Sequence, residues 1–577
     1  MKTVSQSDGF LFRVTNPNEV FTPEEFTPEQ KQIRKTTRDF VGGKIAPESE
    51  RIESLDVELS AKLLREAGEL GLLGAHIPEA YGGLELDTIS TTLISEEFAR
   101  AGSLSVAHGN HTGIATWPLI FYGTEEQKKK YLAKLATAEM LGAYALTEPG
   151  SGSDALGARS TARLNEAGSH YILNGQKQWI TNAGFADVYI VYAKVDGEKF
   201  TAFIVDANSP GITTGPEEKK MGISGSSTRM LYLEDVAVPV ENVLGEVGKG
   251  HLVAFNALNI GRYKVGSGTL GSAKAAFETA ATYASVRHQF NRPLASFGLI
   301  QEKLADMTTR IFAAESMIYR IGGLLDGGDK YDPKFVERYA VECSIAKVYG
   351  SETLDFVVDE SLQIHGGYGY MKEYPIENMY RSSRINRIFE GSNEINRLLI
   401  PGTLLRRANK GELPLFDLLQ QIQQSPLAGL DFGFKGALAE ERQAVESAKR
   451  LFLCMFGLAL QAHGGKIDER QEIMGRLANI AMEIFASESG LLRAEKSAAA
   501  NRESAAAQTD IVRVYTRESL QRIQQWATAI CWTVCDEAML EQILLFVNQL
   551  TRISPLGLIP IKRKIAERAV AAGKYTM

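Results

Sequence analysis

Cysteine is scarce. Cys343, Cys454, Cys531 and Cys535 are the whole supply in 577 residues, too few and too unevenly placed for a disulfide framework, so the chain suits a reducing compartment. Cys531 and Cys535 share a helical face, but no nearby His completes a metal set, and no metal site is expected. Long apolar runs are also missing. The stretch Leu451 to Leu460 is too short to span a bilayer, and no period repeats along the chain, which excludes solenoids. The start of the chain lacks an apolar h-region and carries Asp8, Glu19, Glu24 and Glu25, unlike a secretory signal or an Arg-rich transit peptide. No long basic run occurs: 63 Lys and Arg against 70 Asp and Glu leave a net charge of -7, so nucleic acid is not the expected partner.

What is present is a globular composition, 44% hydrophobic and 23% charged, in a chain long enough for about three to four domains. From Thr27 to about Glu139 apolar residues recur at helical spacing, as in Leu55, Leu59, Leu63 and Leu64. Between Thr147 and Gly245 the period shortens: Tyr171-Ile172-Leu173, Val188 to Val195, Phe200 to Val205 and Met230 to Leu233 read as strands, with a turn at Asp196-Gly197. Helical spacing returns from Leu252 to Leu405, including Thr269 to Arg287 and Phe335 to Ile364. After a break at Gly411–Pro414 it continues to the end. The expected division is an N-terminal extension (1–26), a helical domain (27–143), a β domain (144–247), a helical bundle (248–408) and an additional helical domain (409–577). The small-residue segment Ser497 to Thr509 reads as a surface connection or a mobile helix.

Three stretches carry chemistry. Leu146-Thr147-Glu148-Pro149-Gly150-Ser151-Gly152-Ser153-Asp154 leaves backbone N–H groups free to approach a polar ligand, although an ordinary helix-to-strand turn has the same composition. In Gln178-Trp179-Ile180-Thr181-Asn182 an indole beside short hydrogen-bonding side chains suits a flat heterocycle, as it would also suit a core Trp before a turn. Glu390 stands between the apolar pair Ile388-Phe389 and Gly391. Such a carboxylate has a raised pKa and can serve as a base for a weakly acidic C–H, or can be a loop Glu that favours a helix dipole.

Taken together, Thr147–Asp154, Asn174–Asn182, Arg287-His-Gln-Phe290, Gln363-Ile-His-Gly-Gly367 and Ile388-Phe-Glu-Gly-Ser392 resemble the acyl-CoA dehydrogenase family, over roughly Pro28 to Ala408. Asn259-Ile-Gly-Arg262, Phe297 to Lys303 and the extra C-terminal domain are most similar to the very-long-chain branch. The resemblance implies a fold of N-terminal helical domain, middle β-barrel or sandwich domain and C-terminal four-helix bundle, with the additional helical domain appended. FAD is implied as cofactor. Tyr144, Leu146, Thr147, Gly152, Ser153, Trp179, Ile180 and Thr181 match positions holding the flavin ring, with Ser392 and Glu394 beside it. Arg287, Gln289, Phe290, Gln363, Ile364, Gly366 and Gly367 match positions reaching the FAD of a neighbouring subunit, which implies a homodimer or homotetramer.

Glu390 matches the family base, which takes the α-proton of the acyl thioester while the β-hydrogen leaves as hydride. Some branches place the base on the helix containing Gly261, and Gly has no side chain to offer. Ser153, Asn259, Arg262 and Gly391 match positions lining the acyl-CoA site, with Arg262 equally readable as an ion-pair partner. Phe389, Ser392 and Glu394 depart from the residues frequent there, and Glu394 adds a charge near the flavin. The expected activity is oxidation of a long-chain acyl-CoA to the trans-2-enoyl-CoA in fatty acid β-oxidation, with electron-transfer flavoprotein as acceptor. An oxidase using O₂ and a non-catalytic scaffold keeping the fold are the alternatives. The expected location is the bacterial cytoplasm, or the mitochondrial matrix for a processed eukaryotic chain. In the last domain, Leu451, Phe452, Met455, Phe456 and Leu458, with Ile543, Leu544, Phe546 and Val547, pack internally or lie on a membrane surface helped by Lys562, Arg563 and Lys564.

Overall fold

The computed structural model describes residues 9–424 and 431–577; residues 1–8, which open the expected N-terminal extension and include Asp8, lie outside the described residues. Helices Pro28–Phe40, Val57–Glu69, Thr88–Phe98, Leu104–Asn110, Trp117–Tyr122 and Glu125–Ala136 form the first helical unit. Their starts follow from sequence: Thr27 with Gln30, and Thr124 with Gln127, form reciprocal capping boxes, each satisfying orphan N–H groups of a first turn.

The middle unit is an eight-stranded sheet. Gly142–Ala145 runs parallel to Val188–Val195, which pairs antiparallel with Lys199–Asp206. His170–Thr181 pairs antiparallel with Thr228–Pro239, with a register shift between Lys177 and Ile180. All four stretches read as strands from sequence lie in this sheet. One of its faces packs Leu173, Val191, Phe203 and Leu233 into a core of its own.

The third unit holds helices Gly250–Val286, Gly298–Leu325, Ala340–His365 and Asn393–Asn409, and the fourth Ala439–His463, Gln471–Ala499, Ala505–Val534, Glu537–Leu550 and Leu558–Ala572. Ser497–Thr509 holds a surface connection between two long helices. Helix Gln471–Ala499 ends in it, residues 500–504 form a short exposed turn, and Ala505–Val534 starts within it.

The segment before Pro28 is more than an extension. Phe10, Leu11 and Phe12 are buried, and the Phe10 ring lies 4.6 Å from that of Phe485 in the fourth unit. The Arg493 guanidinium, fully buried, pairs with Glu24 at 2.8 Å and with Glu315 at 2.6 Å. Glu315 also accepts from Lys274 Nζ at 2.5 Å and from the Tyr575 hydroxyl at 2.6 Å. Burial opposes its ionisation, yet Lys274 and Arg493 hold its carboxyl down at about 2. Lys274 also pairs with Glu96 of the first unit at 2.7 Å; charges taken this far out of water persist only when each is paired, so this knot ties the first, third and fourth units and the segment before them together.

The apolar stripes of the fourth unit are mainly internal. Leu451, Phe452, Met455, Phe456 and Val547 are buried, while Leu458, Ile543, Leu544 and Phe546 are half-buried against the same core. Lys562 is not available to a lipid surface: its ammonium is paired with Asp306 at 2.7 Å and Glu518 at 2.6 Å. The expectation of a free basic cluster at Lys562–Lys564 is corrected on this point. No helix among the described residues is long and apolar enough to cross a membrane.

Candidate functional site

Glu390 sits just before helix Asn393–Asn409, whose N-cap is Ser392. Both Glu390 (φ 55°) and Gly391 (φ 77°) adopt left-handed backbone, a conformation that costs a glutamate energy and survives only where the surroundings over-determine it. They do so through the carbonyls. Lys347 Nζ donates to the Gly391 carbonyl and to Asn393 Oδ1, both at 2.7 Å. Asn396 Nδ2 donates to the carbonyls of Gly391 at 2.8 Å and Ser392 at 3.1 Å, and Arg262 Nε to that of Glu390 at 3.4 Å.

The carboxylate so presented is chemically unusual. Oε2 is sealed from solvent without a hydrogen-bond partner, packed where Gly261 and Ile114 meet. Burial pushes the Glu390 carboxyl up to about 7, with Arg262 and Lys347 pulling the other way. Burial likewise holds the Lys347 ammonium down to about 7 against the pull of Glu390. A carboxylate with this affinity for protons, without an ion pair among the described residues, is poised to accept one near neutral pH. It is not a carboxylate spent on a helix dipole.

Glu390 lines a cavity of about 1030 Å³. One wall is a stripe of helix Gly250–Val286: Gly261, Lys264, Val265, Gly268, Ser272, Ala275 and Thr279. This i, i+3, i+4 spacing keeps one face of the helix toward the cavity for about 27 Å. A Cβ built on Gly268, or on Gly109 opposite, would meet nothing within 4 Å. Lys264, which burial lowers to about 7, turns its ammonium aside to Thr112 Oγ1 at 2.8 Å.

The remaining expected site residues fall into separate places. Thr181 lines the cavity. Trp179, two residues earlier in the strand, has φ 58° and is 59% exposed; the register shift beside it turns the indole outward, so it is not a core tryptophan. Tyr144 and Leu146 are buried at the end of the first strand. The loop after them is pinned by Glu148, which accepts from Lys177 Nζ at 2.6 Å and from the Arg159 N–H at 2.6 Å, leaving Gly152 and Ser153 exposed. An outward indole, a braced glycine loop and a threonine on the wall of the cavity that holds Glu390 are groups that suit a flat heterocycle with polar edges.

Of the residues expected to line an acyl-CoA site, Asn259 and Arg262 are buried behind Glu390 instead of facing the cavity. Arg262 donates to Asn259 Oδ1 at 3.0 Å and to the Glu390 carbonyl at 3.4 Å, and among the described residues it forms no ion pair. Gly391 adjoins Glu390, and Ser153 lies on the surface loop. Lys347 had no motif to announce it; an ammonium buried on helix Ala340–His365 was the only available signal.

Arg287, Gln289 and Phe290 follow the far end of helix Gly250–Val286, about 38 Å along its axis from Gly261. There the structure joins them to the second distant motif: the Tyr283 ring stacks on His365 at 4.2 Å, and Arg287 lies over Tyr368 at 5.3 Å. Gln363, Ile364, Gly366 and Gly367 belong to the same corner, where Phe290 is 87% and Tyr370 82% exposed. Glu394 is exposed, and its carboxyl is held low by its own backbone N–H and by Ser392.

Comparison with known proteins agrees with this layout. The acyl-CoA dehydrogenase N-terminal, middle and C-terminal domain models match residues 27–139, 143–236 and 248–405, and a further acyl-CoA dehydrogenase C-terminal domain model matches 447–548. A probable acyl-CoA dehydrogenase of Bacillus subtilis (strain 168) is 50% identical over 587 residues, covering 100% of this chain and 99% of the relative. The very long-chain specific mitochondrial acyl-CoA dehydrogenase of Bos taurus is 34% identical, over 88% of this chain and 81% of its own. The crystal structure of an acyl-CoA dehydrogenase complexed with FAD from Bacillus anthracis superposes with a TM-score of 0.95 at 52% identity, covering 98% of this chain and 99% of that one. The chain therefore belongs to the acyl-CoA dehydrogenase family and is an FAD-dependent oxidoreductase.

Proposed function

We propose that the chain oxidises long-chain acyl-CoA to trans-2-enoyl-CoA, with Glu390 as base, and passes the electrons to an electron-transfer flavoprotein in fatty acid β-oxidation. The observation that carries this is the unpaired Glu390 carboxylate at the head of a cavity that follows helix Gly250–Val286 for about 27 Å. FAD, when bound, supplies the acceptor for the β-hydrogen as hydride. The chain's own residues do the rest. Glu390 takes the α-proton, and burial raises its proton affinity toward that task. Lys347, Asn396 and Arg262 hold the carbonyls of residues 390–392, so the carboxylate needs no reorganisation as it reacts. Trp179, Thr181 and the braced 147–153 loop would hold the flavin ring. Arg287, Gln289 and the 363–367 turn, remote from Glu390 in one chain, would serve the FAD of a neighbouring subunit.

The test is turnover of acyl-CoAs of increasing length with an artificial acceptor. Wild type is expected to favour long chains, and Glu390→Gln to keep FAD but lose about 10²–10⁴-fold in kcat. Near-normal turnover by the variant would overturn the assignment of the base. Oxygen consumption matched to turnover would mark an oxidase.

A further inference from the structure

The cavity does not end blind. Its wall on helix Gly250–Val286 runs from Gly261, against the base, to Glu278 and Thr279, and at that far end the lining includes Glu50, Arg100, Lys372 and Glu373, all four of them exposed. One continuous space thus joins the buried carboxylate of Glu390 to solvent at this far end. Along the way the helix offers small side chains, Gly268, Ser272 and Ala275, at the half-buried positions of an otherwise buried face. Nothing in the lining of the stripe closes the passage as a Phe or Leu would.

The charge at this far mouth is not balanced. Arg100 is paired with Glu278 at 2.9 Å, and Arg381 with Glu377 at 2.8 Å. That leaves Glu50 and Glu373 on the rim against the ammonium of Lys372. A rim of this sign repels the phosphates of CoA, so the thioester end is not expected to enter here. It suits the other end of the substrate.

We propose that this mouth is an exit for the end of the acyl chain, so that the enzyme accepts acyl-CoAs whose chains outrun the cavity and end in a hydrophilic group that is neutral or cationic. The inference rests on the function proposed above and adds the class of chain terminus. Physically, a closed pocket rejects a polar chain end because that end is buried without a partner. An open passage returns it to water. A carboxylate end meets the rim glutamates and is disfavoured, by repulsion that salt weakens.

The experiment uses the FAD-loaded enzyme and hexadecanoyl-CoA extended at its ω-carbon by a tetraethylene glycol chain ending in a hydroxyl, an ammonium or a carboxylate. With hydroxyl or ammonium ends, kcat/KM is expected to stay within about threefold of unextended hexadecanoyl-CoA; with a carboxylate it should fall about tenfold at low salt. In the double variant Glu50→Lys, Glu373→Lys the ammonium and carboxylate ends should exchange rank. If hexadecanoyl-CoA is oxidised but every glycol-extended form is inert, the cavity is closed in solution and this inference is overturned while the proposed function stands. If no acyl-CoA of any length is oxidised, the proposed function fails and takes this inference with it.

Discussion

Gly261 and Glu390 occupy each other's space: a Cβ built on Gly261 would stand 2.7 Å from Glu390 Oε2 and 2.9 Å from Ile114 Cγ2. The helix can carry a side chain here only if the carboxylate moves. Gly261→Val is therefore expected to fold and to bind FAD while kcat falls about 10²-fold, the cost of misplacing a catalytic group by roughly 1 Å. Stopped-flow reduction by acyl-CoA measures it. An unchanged rate would show that the carboxylate reacts from another position.

The acid limb of the pH profile should report Glu390. Its carboxyl lies at about 7, raised by burial, and only the deprotonated form accepts a proton. The logarithm of kcat/KM is expected to rise with pH below about 7 and to level off above it. Lys347→Met removes a cation that favours the carboxylate, so the limb should move to higher pH while kcat falls. Loss of stability alone would lower the rate without moving the limb.

Arg287→Ala should weaken FAD retention. Its guanidinium sits on Tyr368 in an exposed corner, away from the base of its own chain. After dialysis, flavin absorbance per chain is expected to fall in the variant, with the far-UV circular dichroism unchanged. Full flavin occupancy would remove the corner from the cofactor site.

Arg493→Met should be destabilising. It leaves the buried carboxylates of Glu24 and Glu315 short of a partner, a loss of about 3–5 kcal/mol when one member of a buried pair is removed. Thermal unfolding followed by circular dichroism and by flavin fluorescence checks it. The expected result is a lower Tm for both signals.

The order of helical and β units was legible because the apolar period changes at their borders, and the capping boxes at Thr27 and Thr124 are local in sequence. The 147–154 loop, the Trp179 strand and Glu390 were legible as motifs. Periodicity could not show that the Trp179 indole faces outward, since that depends on a register shift against Thr228–Pro239. Nor could it show that Lys347 grips the loop of the base, because the contact joins residues 44 apart in sequence through a fold that no local pattern encodes. The Arg262 contact with the Glu390 carbonyl was out of reach for the same reason, since it joins residues 128 apart in sequence. The small residues at Gly268, Ser272 and Ala275 read as an alanine-rich helix, and only the packing shows that they border empty space.

The knot at Glu315 has a bearing on how the protein is made. Arg493 and Tyr575, which satisfy that carboxylate, come 178 and 260 residues after it. While the chain grows from the ribosome, the first three units exist for a time with Glu315 lacking both. Lys274 alone then faces it, and sealing the pair away from water is less favourable than it becomes later. The packing around Glu315 is therefore expected to consolidate only once Arg493 and Tyr575 have emerged. A ribosome-stalled chain ending before Arg493 should accordingly be more open to proteolysis around helix Gly298–Leu325 than the released protein.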